Sequence, residues 1–154
     1  MREIWHELLF HVSPAALYDA VTDPKKIAHW WTTGARGDNH LGGHLEFWFD
    51  DFCASVAQIT ALTPGQLVRW HITGGAASDW LDTEVEFRIF TEQGRTMLHF
   101  RHTNWRDEAK QFPHCSLGWV IFLLSLKEFV ETGKGRPYPY DMPVNLWAPP
   151  PAAI

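Results

Sequence analysis

The chain is short of the features that would place it in several large functional classes. It has two cysteines among 154 residues, Cys53 and Cys115, in no C-x-x-C pair. Neither a zinc ribbon nor a dithiol redox motif can be built from them, and a reduced pair is the simple reading. Basic residues are the minority, 13 Lys and Arg against 18 Asp and Glu, for a net charge of −5. That balance argues against binding to a phosphate backbone, where cations supply the affinity. Long apolar runs are missing too. The longest, 117–126, includes Gly118 and Ser125 and falls well below the roughly 20 residues that span a bilayer. The opening Met1-Arg2-Glu3-Ile4-Trp5-His6-Glu7 carries charge where a secretory signal needs an apolar segment. The expectation is a soluble, cytoplasmic protein with neither a nucleic-acid nor a membrane partner.

Catalytic and cofactor motifs are equally sparse. Gly-x-Ser-x-Gly and His-Glu-x-x-His are absent, and neither Gly42-Gly43 nor Gly74-Gly75 opens a phosphate loop. Nine histidines raise the question of a metal. However, His40 and His44 lie in a glycine-rich stretch, and His99 and His102 point to opposite faces of one strand. Zinc needs three or four converging ligands at about 2.0–2.3 Å. No metal and no other cofactor is expected.

What the chain has in abundance is rings. Nine Trp, ten Phe and three Tyr make up 14% of it. Each large ring buries on the order of 150–250 Å², so the interior is either an aromatic core or an aromatic-lined cavity.

Alternation over 4–12 predicts a first strand. Ser13-Pro14 and Asp23-Pro24 each place a capping side chain before a proline, predicting two short helices. The glycine-rich 34–43 reads as a loop. Five further strands follow, over 45–50, 54–62, 66–73, 83–89 and 96–102, with Thr63-Pro64-Gly65 and Glu92-Gln93-Gly94 as turns. The period then changes. A long helix over about 109–132 ends at Gly133, with Trp119, Phe122, Leu123, Leu126 and Val130 as its best apolar stripe. Six prolines beyond Gly135 preclude a helix and predict an extended tail over 136–154, with Tyr138, Tyr140 and Trp147 pinned to the surface. The fold class is α+β: a six-stranded curved antiparallel sheet wrapped around one long C-terminal helix, with two short helices after the first strand. A sheet curving around one rod leaves room between them.

The ordered residues Ser13-Pro14, Tyr18-Asp19-Ala20-Val21-Thr22-Asp23-Pro24, His29-Trp30-Trp31, Gly42-Gly43-x-Leu45-Glu46-Phe47, Leu67-Val68-x-Trp70, Thr96-x-Leu98-x-Phe100-x-His102 and Gly118-Trp119 resemble the SRPBCC (START-like, Bet-v-1-like) superfamily. The branch most resembled is typified by the C-terminal domain of the activator of heat-shock-protein-90 ATPase. The resemblance covers about residues 3–133 and implies a helix-grip domain over 1–135. It leaves activity open, because this scaffold hosts transport, cyclisation, dioxygenase and chaperone-linked roles.

Strand parity and the helix stripe single out Phe47, Trp70, Phe87, Phe100, His102, Trp119, Phe122 and Leu123 as a ligand-binding wall, with Trp30 at its mouth. Each of these rings could equally be packed core. His102 and His6 lie among apolar neighbours, where a neutral imidazole could bond a ligand or act as an acid–base. Alternatively, backbone or water could satisfy it. Glu46, Asp50 and Glu84 have the opposite parity and offer neither histidine a partner. The expected function is binding of a hydrophobic small molecule, apolar or aromatic, between sheet and helix, with no catalytic residue assigned. Two alternatives stay open: an enzyme acting on an aromatic or polyketide-like substrate in the same cavity, and an interaction domain docking a chaperone ATPase through Trp5, Trp48 and the tail. A homodimer through the aromatic outer faces is left open as well.

Overall fold

A computed structural model describes residues 1–144. The chain opens with β1 (Arg2–Phe10), α1 (Pro14–Thr22) and α2 (Pro24–Ile27), continues through β2 (Gly34–Gly37), β3 (His44–Phe49), β4 (Phe52–Thr63), β5 (Leu67–Gly74), β6 (Glu84–Glu92) and β7 (Arg95–Trp105), and closes with α3 (Phe112–Thr132). Both predicted caps form. Ser13 Oγ accepts from the Ala16 N–H at 3.1 Å, and Asp23 Oδ1 accepts from the Lys25 N–H at 2.9 Å. Each satisfies an amide that a helix start would leave bare.

The strands form one antiparallel sheet in the order β1-β7-β6-β5-β4-β3-β2. It has seven strands, one more than the expected six. The extra strand, β2, falls in the stretch expected to be a loop and pairs with β3 at the sheet edge. Its glycines explain both the pairing and the misreading. A Cβ at Gly34 would meet the Trp48 carbonyl oxygen at 2.5 Å, and Gly37, at φ +130°, lies too close to His44 for any side chain. Glycine normally weakens a strand, but here it permits a close backbone approach.

Side chains alternate as expected. Leu45, Phe47, Trp70, Phe87 and Phe100 are fully buried on the inner face. The outer face carries paired charges such as Arg69–Glu86 and Arg101–Glu3, each 2.8 Å apart. Rings interlock within the core: Trp70 meets Phe47 at 5.3 Å and Phe87 at 5.2 Å between centroids. α3 starts at Phe112 rather than near Ala109, because Pro113 fixes the first turn. Of its stripe, Trp119, Leu123 and Leu126 are buried, while Phe122 and Val130 are half-buried.

After Gly133 closes α3 in the left-handed conformation, the chain turns back across the molecule. Tyr138 forms a parallel bridge with Thr32; its N–H bonds the Trp31 carbonyl at 2.8 Å, and its hydroxyl donates to Asp50 Oδ2 at 2.8 Å. Residues 136–144 therefore act as a strap. The expectations for Trp147 and the last ten residues lie outside the described residues. Among the described residues, no helix is long and apolar enough to cross a membrane.

Candidate functional site

Under the N-terminal half of α3, helix and sheet stand apart and enclose a half-open cleft of about 370 Å³. This is near the lower end of the size range of small-molecule sites. The end of β3 contributes Phe49, and β4 contributes Phe52, Ala54 and Ser55. A one-turn 3-10 helix at Ser78–Trp80, with the residue before it, contributes Ala77 and Trp80. α3 presents Gln111, His114, Cys115, Gly118, Trp119 and Phe122, while Trp31 and Tyr138 complete the wall.

Trp31 is the centre of this wall. Its ring lies nearly parallel to Trp70 (6.2 Å, 4°) and Trp80 (6.1 Å, 21°), and tilts onto Trp119 at 4.9 Å. Such offset stacks hold large rings at fixed angles. The strap supplies the far side, where Tyr138 packs edge-on to Phe49 at 5.0 Å.

Two of the ten residues expected at the site, Trp119 and Phe122, line the cleft. Phe47, Trp70, Phe87, Phe100, His102 and Leu123 are fully buried in the core behind it. Trp30 is not at the mouth. It is fully buried, and its indole N–H donates to the Ala20 carbonyl at 2.8 Å, which turns the ring toward α1. Its neighbour Trp31 takes the position at the wall. His6 is half-buried on β1 and stacked on Phe100 at 6.5 Å; its Nε2 is buried without a partner.

His102 has a different role from a ligand contact. The Trp119 indole N–H donates to His102 Nδ1 at 3.0 Å. An indole nitrogen can only donate, so the ring proton sits on Nε2. From there it is given to Thr83 Oγ1 at 2.8 Å, and Thr83 in turn donates to the Trp80 carbonyl at 2.5 Å. Every polar atom in this relay has a partner, and burial pushes the imidazole from 6.5 down to about 3. His102 is therefore a neutral strut between β7, α3 and the wall of the cleft. Cys115, in the wall itself, is likewise uncharged. Burial pushes its thiol up to about 11, despite a 3.3 Å hydrogen bond from Trp80 Nε1. At neutral pH His102 is a weak base with both nitrogens engaged, and Cys115 is a thiol rather than a thiolate. Among the described residues, no three His, Cys, Asp or Glu side chains converge as metal ligands would.

Sequence reasoning missed Trp80, Phe49, Phe52, Ser55, Cys115 and Tyr138 as wall residues. A tryptophan stranded in the polar stretch Ala77-Ser78-Asp79-Trp80 was the available signal for the first. Phe49 and Phe52 flank a turn where Asp50 takes a positive φ of 56°, and the β3–β4 register shifts beside it. Phe49 stays in step with Phe47 along β3, but the shift breaks the count across the turn, so parity does not place Phe52.

Residues 11–131 match the model of a protein family described as activator of Hsp90 ATPase homolog 1-like protein. No curated protein matches the chain by sequence. Among solved structures, the Aha1 dimer from Colwellia psychrerythraea is 32% identical with a TM-score of 0.79, over 88% of this chain and 100% of its own. Two more distant structures share the fold. CalU16 from Micromonospora echinospora is 21% identical with a TM-score of 0.69, over 86% of this chain and 78% of its own. An HSP90 activator from Plasmodium falciparum is 19% identical with a TM-score of 0.69, over 87% of this chain and 98% of its own.

Proposed function

This chain belongs to the activator of Hsp90 ATPase homolog 1-like family, and from that premise we propose that it binds an apolar or aromatic small molecule in the cleft beneath α3. The observation that carries the reading is Gly118. It sits mid-helix, and an added Cβ would meet nothing within 4 Å, so no neighbouring backbone demands a glycine there. Glycine costs a helix interior about 1 kcal/mol relative to alanine. What it leaves is open space in the cleft wall. Both His102 nitrogens are engaged within the fold and the Cys115 thiol is protonated, which supports a binder over an enzyme, because general acid–base and nucleophilic chemistry need poised groups. A bicyclic aromatic burying about 200 Å² would gain on the order of 5 kcal/mol at roughly 25 cal/mol per Å², before the cost of immobilising it.

The test is a titration of neutral bicyclic and tricyclic aromatics, followed by tryptophan emission, on the native chain and Gly118→Leu. The leucine should leave the melting temperature unchanged or raised and weaken binding at least tenfold. Binding that survives Gly118→Leu, or no response to any compound, would remove this reading.

A second reading, docking to a chaperone ATPase, is favoured by the family itself and by Trp5, which is 57% exposed on the outer face with the Arg101 guanidinium 5.2 Å from its ring. Such docking would be indifferent to Gly118→Leu and sensitive to Trp5→Ala. A homodimer is a compatible arrangement. The Colwellia relative is described as a dimer, and Leu117 and Leu124 are exposed on one side of α3. Light scattering after gel filtration decides it.

A further inference from the structure

Six serine or threonine residues are buried among the described residues: Thr22, Thr32, Ser55, Thr83, Thr96 and Ser125. Five of their hydroxyls are satisfied. Thr22, Thr32, Thr83 and Thr96 donate to the carbonyls of Tyr18, Trp48, Trp80 and Val12, and Ser125 accepts from the Arg136 N–H. The sixth is not. Ser55 is 1% exposed, and its Oγ is buried without a hydrogen-bond partner. It is also the one residue of the six that lines the cleft.

A buried hydroxyl without a partner destabilises the fold, and alanine in its place would fit without that cost. Ser55 stands opposite Phe47 in the β3–β4 ladder, on the buried face. The lining around the cleft is mostly apolar; its other polar side chains are Gln111 and His114, both exposed on α3, the neutral Cys115, and Tyr138, whose hydroxyl is engaged by Asp50. Small-molecule sites characteristically combine an apolar lining with a few placed polar groups that set specificity. The wall contains neither lysine nor arginine, its thiol is neutral, and its one imidazole, His114, is exposed to solvent. An anion there would be buried without a countercharge.

We propose that Ser55 is the specificity-determining residue of the cleft, and that the ligand is an uncharged, flat aromatic molecule carrying a hydroxyl or carbonyl group that pairs with the Ser55 hydroxyl. This inference rests on the reading of the cleft as a ligand site. A site built to bond such a group rejects the analogue that lacks it, because the protein hydroxyl then stays unpaired.

The test uses two probes of the same shape, 2-naphthol and 2-methylnaphthalene, titrated into the native chain, Ser55→Ala and Gly118→Leu. The two probes leave water with different ease, so the quantity read is the naphthol-to-methylnaphthalene affinity ratio compared between proteins. The expected result is a ratio roughly tenfold larger in the native chain than in Ser55→Ala. Methylnaphthalene should bind both equally, and the alanine variant should melt no lower than the native chain. Equal ratios in the two proteins, with both probes still displaced by Gly118→Leu, would overturn the role of Ser55 while leaving the cleft a ligand site. Failure of the native chain to bind either probe would overturn both.

Discussion

The two ends of α3 are fastened to different partners, and the cleft lies under the first two turns, which are held by a loop and not by a strand. The C-terminal half is clamped to the first strand and its exit. Lys127 Nζ donates to the Leu9 carbonyl at 2.5 Å and to Glu131 Oε2 at 2.8 Å, and the same carboxylate accepts the His11 N–H at 2.8 Å. The strap adds Arg136, whose guanidinium forks onto Glu128 at 2.9 and 3.0 Å. The N-terminal half lacks a capping side chain at Gln111. It is held instead by the Ser78–Trp80 turn: Asp79 Oδ2 accepts the Gln111 N–H at 3.0 Å, and Trp80 bonds Cys115. A carboxylate suits the positive end of a helix, but this one belongs to a loop. The clamps to the first strand lie over closed interior, and the clamp to the Ser78–Trp80 turn lies beside the cleft. Trp119, bonded to His102, marks the boundary.

The largest expected effect breaks that boundary with acid. His102 is held near 3 in the fold against an ordinary 6.5, so the unfolded chain binds the extra proton first. The His102 contribution to stability is complete above pH 6.5 and falls by about 1.4 kcal/mol per unit as pH drops toward 3. Urea midpoints between pH 7 and 4 should trace this slope, and His102→Gln, which can still accept from Trp119 and donate to Thr83, should flatten it. An identical slope in the variant would show that His102 is not the source.

A smaller effect tests the same boundary at neutral pH. Trp119→Phe keeps a ring but removes the donor, leaving His102 Nδ1 unpaired in the core. A loss of about 1–3 kcal/mol is expected, read from urea midpoints at pH 7. A loss that a second substitution, His102→Leu, does not reduce would argue against the hydrogen bond as its cause.

The smallest effect loosens the clamped half. Burial works to raise the Glu131 carboxyl, but the hydrogen bonds from Lys127 and the His11 amide, with the lysine charge, more than reverse it, so it sits below the usual glutamate range. The charged form stabilises the fold above the ordinary glutamate pKa, and that contribution is lost as pH falls through the lowered one. Glu131→Gln should cost about 0.5–1 kcal/mol at pH 7 and leave ligand affinity unchanged, because the cleft lies at the other end. A large change in affinity would mean that the two halves are coupled.

The architecture was largely legible in the amino-acid order. Ser13-Pro14 and Asp23-Pro24 mark two helix starts by local chemistry, and strand parity places Phe47, Trp70, Phe87 and Phe100 on the buried face, because a two-residue period and a single core leave little choice. The site was less legible, for specific reasons. Parity says that a ring points inward, not whether another ring meets it there. Trp30 and Trp31 are adjacent, and only the acceptor at Ala20, ten residues back, decides which one reaches the wall. Ser55 shares the parity of a core residue, and its missing partner is a fact of three dimensions. Gly118 was visible as part of a resemblance to a family, but its open surroundings were not.

The strap has a consequence for what the domain contains. Tyr138 joins Trp31, Thr32 and Asp50, all of which belong to the opposite rim. A chain cut at Gly135 would keep the whole sheet and the whole rod, yet it would hold a trough where the intact chain holds a cup. Retention of a guest would then depend on nine residues that contribute little to the core.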